Sequence, residues 1–352
     1  MKILIVSNMY PSEACPHYGV FVKNVCDGLV AQGNHCQVVA IHHTSQGAGQ
    51  KLMRYGRFYL SAFWTVLTGK FDVVYVHFPS HSFVPVWLAS WFRKHNIVLN
   101  FHGGDGKLHE GRSALFFRIK KYLNQKAIDA AKLVVVPSQP YADDLAGLYD
   151  LSRVKTLASP SGGVDPSLFG QHIRTPSEAP LHVAFVGRLV DVKRPQVFAR
   201  CIARYFERYG DQQVTATVVG SGPQRARLEA MLEPYPVAFV DALSQQDLAA
   251  FFNKTDVLVQ CSETESLGLV LIESMVAQCL PLCADNAAYR YLVSDSDSLF
   301  VSEDDFADKL HRVVQMSPEG RAELARNVAQ QAVARFSHNN VIERLHHAFS
   351  QL

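Results

Sequence analysis

The sequence predicts an α/β protein made of two Rossmann-like domains that face a central cleft. Short apolar runs, typical of buried parallel strands, alternate along the chain with segments of helical periodicity. This alternation starts again after residues 170–180, which are polar and lack apolar periodicity. The length of 352 residues also favours two hydrophobic cores over one. We therefore expect an N-terminal domain over residues 1–170 and a C-terminal domain over residues 171–335.

Composition gives the expected cellular setting. The chain is 48% hydrophobic and 19% charged, as in ordinary globular proteins. No apolar window approaches the roughly 18 residues of a membrane-spanning helix, and the apolar run after Lys2 is too short for a signal peptide. The seven cysteines are scattered and lack the spacing of a metal site, which favours reduced thiols. We therefore expect a cytoplasmic protein without a metal.

Charge is distributed unevenly along the chain. Residues 1–170 carry a net charge of +7 and the remainder −5, which suggests that the first half meets an anionic partner. Residues 51–69 and the segment Arg112 to Lys126 form basic, aromatic, amphipathic helices. Such helices dock on anionic membranes or acceptors, or they are simply half core and half solvated surface. Both readings stay open.

The N-terminal domain begins with a βαβ pattern. A strand over Lys2 to Ser7 is followed by a loop, a helix that begins at Val20 and stops at Gly33, and a second strand. Gly19 precedes the helix. A glycine there admits a phosphate or sugar, or serves only as a turn residue.

Two later strands of this domain end in histidines. His77 ends one strand, and a strand that ends at Phe101 leads into His102-Gly103-Gly104-Asp105. Open α/β sheets bind ligands at the carboxyl ends of their strands, and histidine brings a titratable donor. The alternative is a tight turn capped by Asp105.

Two cations follow the first strand of the C-terminal domain. Gly187 and Arg188 come directly after the strand His182 to Val186, and Lys193 lies five residues further on. An arginine fork and a lysine point charge suit a diphosphate, although solvated loop charges are the alternative.

The stretch Cys261 to Pro281 contains two carboxylates, Glu265 and Glu273, on either side of Gly268. If the apolar run after Gly268 opens a helix, its first amides form an anion site. Glu273 then lies within reach of a hydroxylated ligand along that helix. A solvated glutamate near a helix start is the alternative.

Together these motifs resemble the retaining GT-B glycosyltransferases of family 4, the "glycosyl transferases group 1" type. The sharpest part is an E-x7-E pattern in SETESLGLVLIESM (262–275). The other matching motifs are FHGGD (101–105), SPSGGVD (159–165), FVGRLVDVK (185–193) and VVGSGP (218–223). The resemblance covers nearly the whole chain, and we expect a last helix over residues 336–352 that crosses back to the N-terminal domain.

The resemblance implies specific roles. Arg188 and Lys193 would hold the diphosphate of a nucleotide sugar, Glu273 would bind the ribose, and Glu265 and His102 would contact the transferred sugar. Catalytic roles are implied for His102, Arg188, Lys193 and Glu265. Donor binding is implied for Gly19, Gly187, Arg188, Lys193, Gly220, Glu265, Ser266, Leu267, Gly268, Leu269 and Glu273. Contacts on the acceptor side are implied for His77, Gly103 and Asp105. Transfer would proceed with retention by same-face attack, so no carboxylate nucleophile, metal or other cofactor is expected.

The predicted function is transfer of a sugar from a UDP-, GDP- or ADP-sugar to a glycan or lipid-linked acceptor in cell-surface polysaccharide or lipopolysaccharide biosynthesis. The basic N-terminal domain would contact the inner face of an anionic membrane, and no nucleic-acid partner is expected. The chain departs from the family pattern at Gln278, Asp241, residues 161–163 and His17-Tyr18, which leaves the donor open. The alternatives are a nucleotide-sugar epimerase, a sugar-phosphate synthase or a non-catalytic glycan-binding subunit.

Overall fold

The computed structural model describes residues 1–15, 18–43, 47–106, 113–160, 162–171, 173–210, 213–293 and 295–352. The chain folds as two compact units. The first unit comprises Met1–Gly163 together with His338–Leu352, and the second comprises Val164–Ser337. The expected boundary at residues 170–171 thus differs by seven residues from the division at Gly163–Val164. His17, Arg112, Ser161 and parts of the loops 8–18 and 103–112 lie outside the described residues.

Helices and strands alternate throughout both units. The strands are β1 (Lys2–Ser7), β2 (His35–Ala40), β3 (Val73–His77), β4 (Asn96–Asn100), β5 (Leu133–Val136), β6 (Lys155–Ala158), β7 (Leu181–Val186), β8 (Val214–Val219), β9 (Val237–Val240), β10 (Val257–Gln260), β11 (Leu280–Ala284) and β12 (Leu299–Phe300). The helices are α1 (Val20–Ala31), α2 (Ala48–Thr68), α3 (Pro79–Ser90), α4 (Ala114–Ala130), α5 (Gln139–Ala146), α6 (Pro166–Phe169), α7 (Pro195–Tyr209), α8 (Arg225–Leu232), α9 (Gln245–Phe252), α10 (Leu269–Val276), α11 (Ala287–Leu292), α12 (Glu303–Gln315), α13 (Pro318–Phe336) and α14 (His338–Ser350). Short 3-10 turns cover Asp191–Lys193 and Ser296–Ser298.

The first unit contains a six-stranded parallel sheet in the order β2-β1-β3-β4-β5-β6. Alternate residues of each strand point to opposite faces, so the sheet has two cores. Ile3, Ile5 and Tyr75 face α1 and α14, whereas Leu4 and Val74 face α2 and α3. The chain order reverses between β1 and β3, and the carboxyl ends of these strands are therefore the expected ligand edge.

The C-terminal helix α14 packs in the first unit against α1. Gly28 on α1 makes this possible, because a Cβ atom there would lie 2.6 Å from Cγ1 of Ile342. At the start of α14, the carbonyl oxygen of Gly162 lies 2.6 Å from Nδ1 of His338. Both contacts explain why residues 338–352 belong to the first unit.

The second unit repeats the architecture with the strand order β12-β11-β10-β7-β8-β9, again all parallel. Its chain order reverses between β10 and β7, and the side chain of Gln260 bridges that gap by donating to the carbonyl oxygen of Val186 at 3.0 Å. The short helix α6 lies in this unit because Phe169 packs with Phe252, their ring centroids 6.2 Å apart. The predicted α/β fold with two Rossmann-like domains is confirmed.

Across the described parts of both units, the model contains no helix with the length and apolar character that crossing a bilayer requires.

Candidate functional site

The carboxyl ends of β7 and β8 bring two glycines into backbone contact. A Cβ atom on Gly220 would lie 2.0 Å from the carbonyl oxygen of Gly187, and Gly220 has a φ of 137°. Only glycine therefore allows the two loops to approach this closely. This contact packs the loop that carries Arg188 against the neighbouring strand end.

Two cations stand at this edge in different states. The side chain of Arg188 is exposed and has neither an ion pair nor a hydrogen bond with any described residue. Lys193 ends the 3-10 turn, and its Nζ lies 2.5 Å from Oε2 of Glu265 in a largely buried ion pair. The backbone N–H of Glu263 donates to the carbonyl oxygen of Val192 at 3.1 Å and holds the turn beside the glutamate loop. An anion that binds here could pair directly with Arg188, whereas Lys193 would first have to leave Glu265.

Helix α10 opens as the apolar run predicted. Its N-cap is Gly268, which adopts a left-handed φ of 88° and offers no side chain to the first-turn amides. The N–H of Leu271 donates to the carbonyl oxygen of Gly268 at 3.0 Å, which leaves the N–H groups of Leu269 and Val270 available for a ligand or for water. Glu265 precedes the helix, and its Oε1 accepts the N–H of Ser266 at 3.2 Å.

Glu273 is an unusual residue for the core of α10. Its side chain is only 5% exposed, and burial raises the pKa of its carboxyl group to about 7. No described residue makes a hydrogen bond to this carboxyl group. A buried carboxyl group without a protein partner is costly, which makes Glu273 a candidate ligand-binding residue.

Helix α11 supports the glutamate loop from behind. Asn286 donates to the carbonyl oxygen of Ser262 at 2.9 Å. A Cβ atom on Gly268 would lie 3.1 Å from Leu292 and 3.4 Å from the ring of Tyr289. These three residues of α11 and its cap were not predicted from the sequence. The available signal was the Asn286 N-cap, which is common to many helices.

The carboxyl edge of the first sheet opens into a cavity of about 540 Å³. One wall is apolar and comes mainly from α4, and the other residues are mostly polar. The lining residues are Asn8, Met9, Phe78, Ser80, His81, His102, Gly104, Asp105, Phe116, Ile119, Lys120 and Leu123. The cavity therefore suits a ligand with both apolar and hydrogen-bonding parts.

Asp105 organises the turn after β4. Its Oδ1 accepts the backbone N–H groups of His102 and Gly103, each at 2.9 Å. Its Oδ2 is buried without a hydrogen-bond partner among the described residues, and burial raises the pKa of the carboxyl group to about 6. The hydroxyl of Tyr141 donates to the carbonyl oxygen of Gly103 at 2.6 Å. The capping role of Asp105, weighed as the alternative, is therefore present in the structure.

His102 lines the cavity, whereas His77 lies behind it. His77 is fully buried, and its Nδ1 lies 2.9 Å from Nε2 of His102. Burial lowers the pKa of His102 to about 3 and that of His77 well below its usual value, so both rings are neutral. His77 is not among the residues that line the cavity, and its expected contact on the acceptor side remains a prediction.

Gly19 is required by its own backbone surroundings. It is the N-cap of α1 with a left-handed φ of 76°, and a Cβ atom would lie 2.8 Å from the backbone of Met9. The space that the missing side chain leaves is therefore filled by protein. Its expected donor contact remains a prediction.

Two family models match the chain. The model described as Glycosyl transferases group 1 matches residues 172–349, just over half of the chain, and the model described as Glycosyltransferase Family 4 matches residues 18–167. These matches adjoin the division between the two units.

Curated relatives are more distant. The D-inositol 3-phosphate glycosyltransferase of Corynebacterium jeikeium is 25% identical, over 76% of this chain and 68% of that protein. The protein of the same name from Paenarthrobacter aurescens is 30% identical, over 46% of this chain and 42% of that protein. A Campylobacter jejuni α-1,4-N-acetyl-D-galactosaminyltransferase, named for a diNAcBac-PP-undecaprenol-linked acceptor, is 29% identical over 55% of this chain and 56% of that protein. The chain thus spans about half the length of most of these relatives.

Solved structures share the fold. The sucrose-phosphate synthase of Thermosynechococcus elongatus superposes with a TM-score of 0.73 at 16% identity and covers 99% of this chain and 98% of that one. The Anabaena protein HepE in complex with UDP-glucose superposes with a TM-score of 0.73 at 17% identity and full coverage of both chains. The fold is that of the GT-B glycosyltransferases, and the chain belongs to the glycosyl transferases group 1 family.

Proposed function

We propose that this glycosyltransferase takes a sugar from a nucleoside diphosphate sugar held by the second unit and transfers it with retention to a saccharide acceptor held by the first. The observation that carries this proposal is Glu273, a buried carboxyl group without a protein partner. A ribose has two hydroxyl groups that can donate hydrogen bonds to such a carboxylate. The cations Arg188 and Lys193 at the same sheet edge suit the diphosphate.

The first chemical step is loss of the diphosphate from the sugar. The bond between the anomeric carbon and the phosphate oxygen breaks, and the leaving diphosphate keeps the electron pair. Arg188 and Lys193 stabilise the negative charge that develops there. Lys193 exchanges Glu265 for the diphosphate, and this exchange releases the Glu265 carboxylate to accept sugar hydroxyl groups.

The acceptor hydroxyl then attacks from the face that the diphosphate leaves. Its oxygen bonds to the anomeric carbon, and its proton moves to the departing phosphate oxygen, so the configuration is retained. This route uses no carboxylate nucleophile. Because cations of the chain neutralise the diphosphate, we propose that transfer requires no metal.

The donor base is open among uridine, guanosine and adenosine. The complex of the Anabaena protein with UDP-glucose makes UDP-sugars the first to test. The name of the Campylobacter jejuni relative includes an undecaprenol-linked saccharide acceptor, which supports a lipid-linked acceptor here. The apolar α4 wall of the first-unit cavity fits a lipid-linked acceptor. We therefore propose a role in cell-surface polysaccharide or lipopolysaccharide synthesis.

The first unit carries a surface that suits an anionic membrane. Helices α2, α3 and α4 pack side by side. Large apolar side chains are exposed along them: Leu52, Met53, Leu60, Trp64, Leu88, Leu115, Phe116, Ile119 and Tyr122. Lys51, Arg54 and Arg57 add positive charge along α2. Apolar groups flanked by cations bind the interface of anionic bilayers, so we propose peripheral attachment at the cytoplasmic face.

A second candidate is transfer to a soluble phosphorylated acceptor. The corynebacterial relatives are named for D-inositol 3-phosphate, and the cavity contains Lys120 and His81 as possible phosphate ligands. An acceptor panel separates the two candidates. Turnover with polyprenyl-diphosphate saccharides supports the first, and turnover with sugar or polyol phosphates supports the second.

The test begins with thermal shifts of wild type and Glu273→Gln across UDP-, GDP- and ADP-sugars. A ligand that binds the native state raises the melting temperature by mass action. We expect one nucleotide class to stabilise wild type and to lose most of that effect in Glu273→Gln. Glu323→Gln, an exposed change on α13, is the matched control and should keep the full shift. No shift with any donor, or equal shifts in both variants, would contradict the assignment and favour a non-catalytic role.

A further inference from the structure

The two histidines of the first unit meet edge to edge. Their ring planes differ by 16°, and the ring centroids are 5.2 Å apart. This separation is too long for rings packed face to face, and it agrees with the 2.9 Å distance between Nδ1 of His77 and Nε2 of His102. Because both rings are neutral, one of these nitrogens donates and the other accepts.

The surroundings of His77 decide which ring donates. Its Nε2 is buried and has no hydrogen-bond partner among the described residues. If His102 were the donor, the proton of neutral His77 would lie on this Nε2, as an unpaired N–H in the core. An orphaned buried N–H is rarer and costlier than an unused lone pair. Nδ1 of His77 therefore donates to Nε2 of His102.

The neighbours of His102 are compatible with this arrangement. The amide nitrogen of Asn100 lies 2.6 Å from Nε2 and 3.3 Å from Nδ1 of His102. A nitrogen in line with the Nε2 lone pair would lie much farther from Nδ1, so these two distances place the amide over the ring face, away from the in-plane lone pair. The same nitrogen lies 3.5 Å from Nδ1 of His77, a longer distance than the 2.9 Å between the two rings. The hydroxyl of Tyr75 donates to Oδ1 of Asn100 at 3.0 Å and fixes this amide. The ring of Phe78 covers His102 at a centroid distance of 4.5 Å.

We propose that His77 is a positioning residue that holds neutral His102 in the tautomer with its proton on Nδ1. His102 then presents an N–H donor, rather than an acceptor, from that nitrogen. The inference rests on the proposed function for its consequence, which is that His102 donates a hydrogen bond to the transferred sugar. The tautomer itself is a property of the ligand-free protein.

The decisive measurement is two-bond 1H–15N NMR of histidine-labelled, ligand-free protein. The pattern of correlations distinguishes the Nδ1–H from the Nε2–H tautomer, and the His102→Gln variant assigns the signals. We expect His102 in wild type as the Nδ1–H form at neutral pH. A wild-type His102 in the Nε2–H form would overturn the inference, whatever any activity assay gives.

A matched pair of variants tests the role of His77. His77→Asn keeps a side-chain N–H close to the position of Nδ1, whereas His77→Leu has nearly the same shape and no donor. We expect His102 to remain Nδ1–H in the Asn variant and to shift towards Nε2–H in the Leu variant. The same tautomer in both variants would refute the positioning role. If His77→Leu does not fold, the wild-type spectrum still decides the tautomer, and His102 in the Nε2–H form in folded His77→Asn would refute the positioning role.

Kinetics distinguish positioning from support of the fold. Loss of one neutral hydrogen bond to the reacting sugar should lower kcat about tenfold in His77→Leu, with recovery in His77→Asn and little change in the acceptor KM. A merely structural role would lower melting temperature and leave kcat of the folded fraction unchanged. If wild type transfers no sugar at all, the proposed function fails while the NMR result still decides the tautomer.

Discussion

The carboxyl edges of the two sheets differ in the charge of their side chains. At the edge of the second unit stand an exposed arginine, Arg188, and the buried Lys193–Glu265 ion pair. At the edge of the first unit, burial lowers the pKa values of His77 and His102 and keeps both neutral. One parallel α/β architecture thus places two cations at the carboxyl edge of one sheet and a pair of neutral imidazoles at the carboxyl edge of the other.

This difference separates charge stabilisation from acceptor recognition. Strong phosphate binding needs fixed cations, and in a retaining transfer these cations act on the leaving group. A saccharide acceptor is neutral at its reacting hydroxyl, so uncharged donors and an apolar wall suit it. Under the proposed function, substitution of the second-unit cations should therefore affect loss of the diphosphate, and substitution of the apolar α4 wall should affect acceptor recognition. His77 and His102 differ from the rest of the first unit, because they act on kcat through the transferred sugar.

The largest expected effect is on turnover in the second unit. Lys193→Ala removes a cation from the proposed diphosphate site, and we expect kcat to fall about 10²–10³-fold, as for loss of one transition-state donor. The kcat of Arg188→Ala should fall by a similar factor. Steady-state assays of sugar transfer measure kcat for both variants.

The control for Lys193→Ala is Lys309→Ala. Lys309 forms an ion pair with Asp305 at 3.3 Å in the same unit, and both lysine side chains are largely buried. This variant should lose stability while its folded fraction keeps normal kcat. Full activity of both Lys193→Ala and Arg188→Ala would disprove the diphosphate assignment.

The second prediction compares the glycines that cap one helix in each unit. Gly19 and Gly268 both have left-handed φ values, 76° and 88°. A Cβ atom on Gly19 would meet backbone at 2.8 Å, whereas on Gly268 it would meet side-chain atoms at 3.1 Å and beyond. Backbone cannot move aside as side chains can. We expect Gly19→Ala to lower the free energy of unfolding by about 3 kcal/mol and Gly268→Ala by about 1–2 kcal/mol.

Chemical denaturation of each variant measures this difference. Gly33→Ala is the control, because Gly33 has a φ of 80° but no atom within 4 Å of its would-be Cβ. It reports the cost of the left-handed conformation alone. Equal losses at Gly19 and Gly33 would show that the backbone contact with Met9 is unimportant.

The sequence predicted most strands and most of the longer helices, because buried parallel strands are uniformly apolar and the amphipathic helices have clear periodicity. The short elements β6, β12, α5, α6 and α11 were not predicted. Helix α3 was not predicted. It contains Pro85, and apolar residues such as Leu88 also lie on its exposed side, so the sequence shows no clear amphipathic stripe there. Pro85 is tolerated inside the helix because tertiary packing overrides local propensity.

The sequence indicated candidate site residues by type but not their contacts. Strand ends indicated His102 and Arg188, and the spacing around Gly268 indicated Glu265 and Glu273. The partner of Lys193 was not indicated, because Glu265 lies 72 positions away in the chain. Gln278 shows a second limit. It occupies a left-handed φ of 65°, which explains a glycine in the family pattern, and its Oε1 accepts the N–H of Arg174 at 3.2 Å. Such compensation cannot be read from local sequence.

The third prediction concerns Glu273 and pH. Its folded pKa, about 7, lies above the unfolded value of 4.5, so its contribution to stability is full below pH 4.5 and is lost as pH rises through 7. Glu273→Gln stays neutral and avoids this loss. We expect the free energy of unfolding of the variant to rise by about 3 kcal/mol relative to ligand-free wild type between pH 4.5 and pH 8.

Urea denaturation of both proteins across this pH range measures the gain. Asp105 titrates in the same window, and its contribution cancels because both proteins retain it. A difference that stays constant with pH would mean that Glu273 is ionised normally in the fold. In the first unit, Asp105→Asn should also raise the free energy of unfolding relative to wild type as the pH rises. This gain should develop at slightly lower pH, because the pKa of Asp105 is about 6.

The smallest expected effect is on membrane binding by the first unit. Lys51→Gln and Arg57→Gln each remove one exposed charge from α2. Each should weaken partitioning onto anionic phosphatidylglycerol vesicles by about 1 kcal/mol, or roughly fivefold, with no effect on neutral vesicles. Lys254→Gln, an equal charge change on the exposed surface of the second unit, should leave partitioning unchanged. Equal effects of all three would show that net charge, rather than the surface of α2, governs binding. In that case the contrast between the units would be confined to their ligand edges.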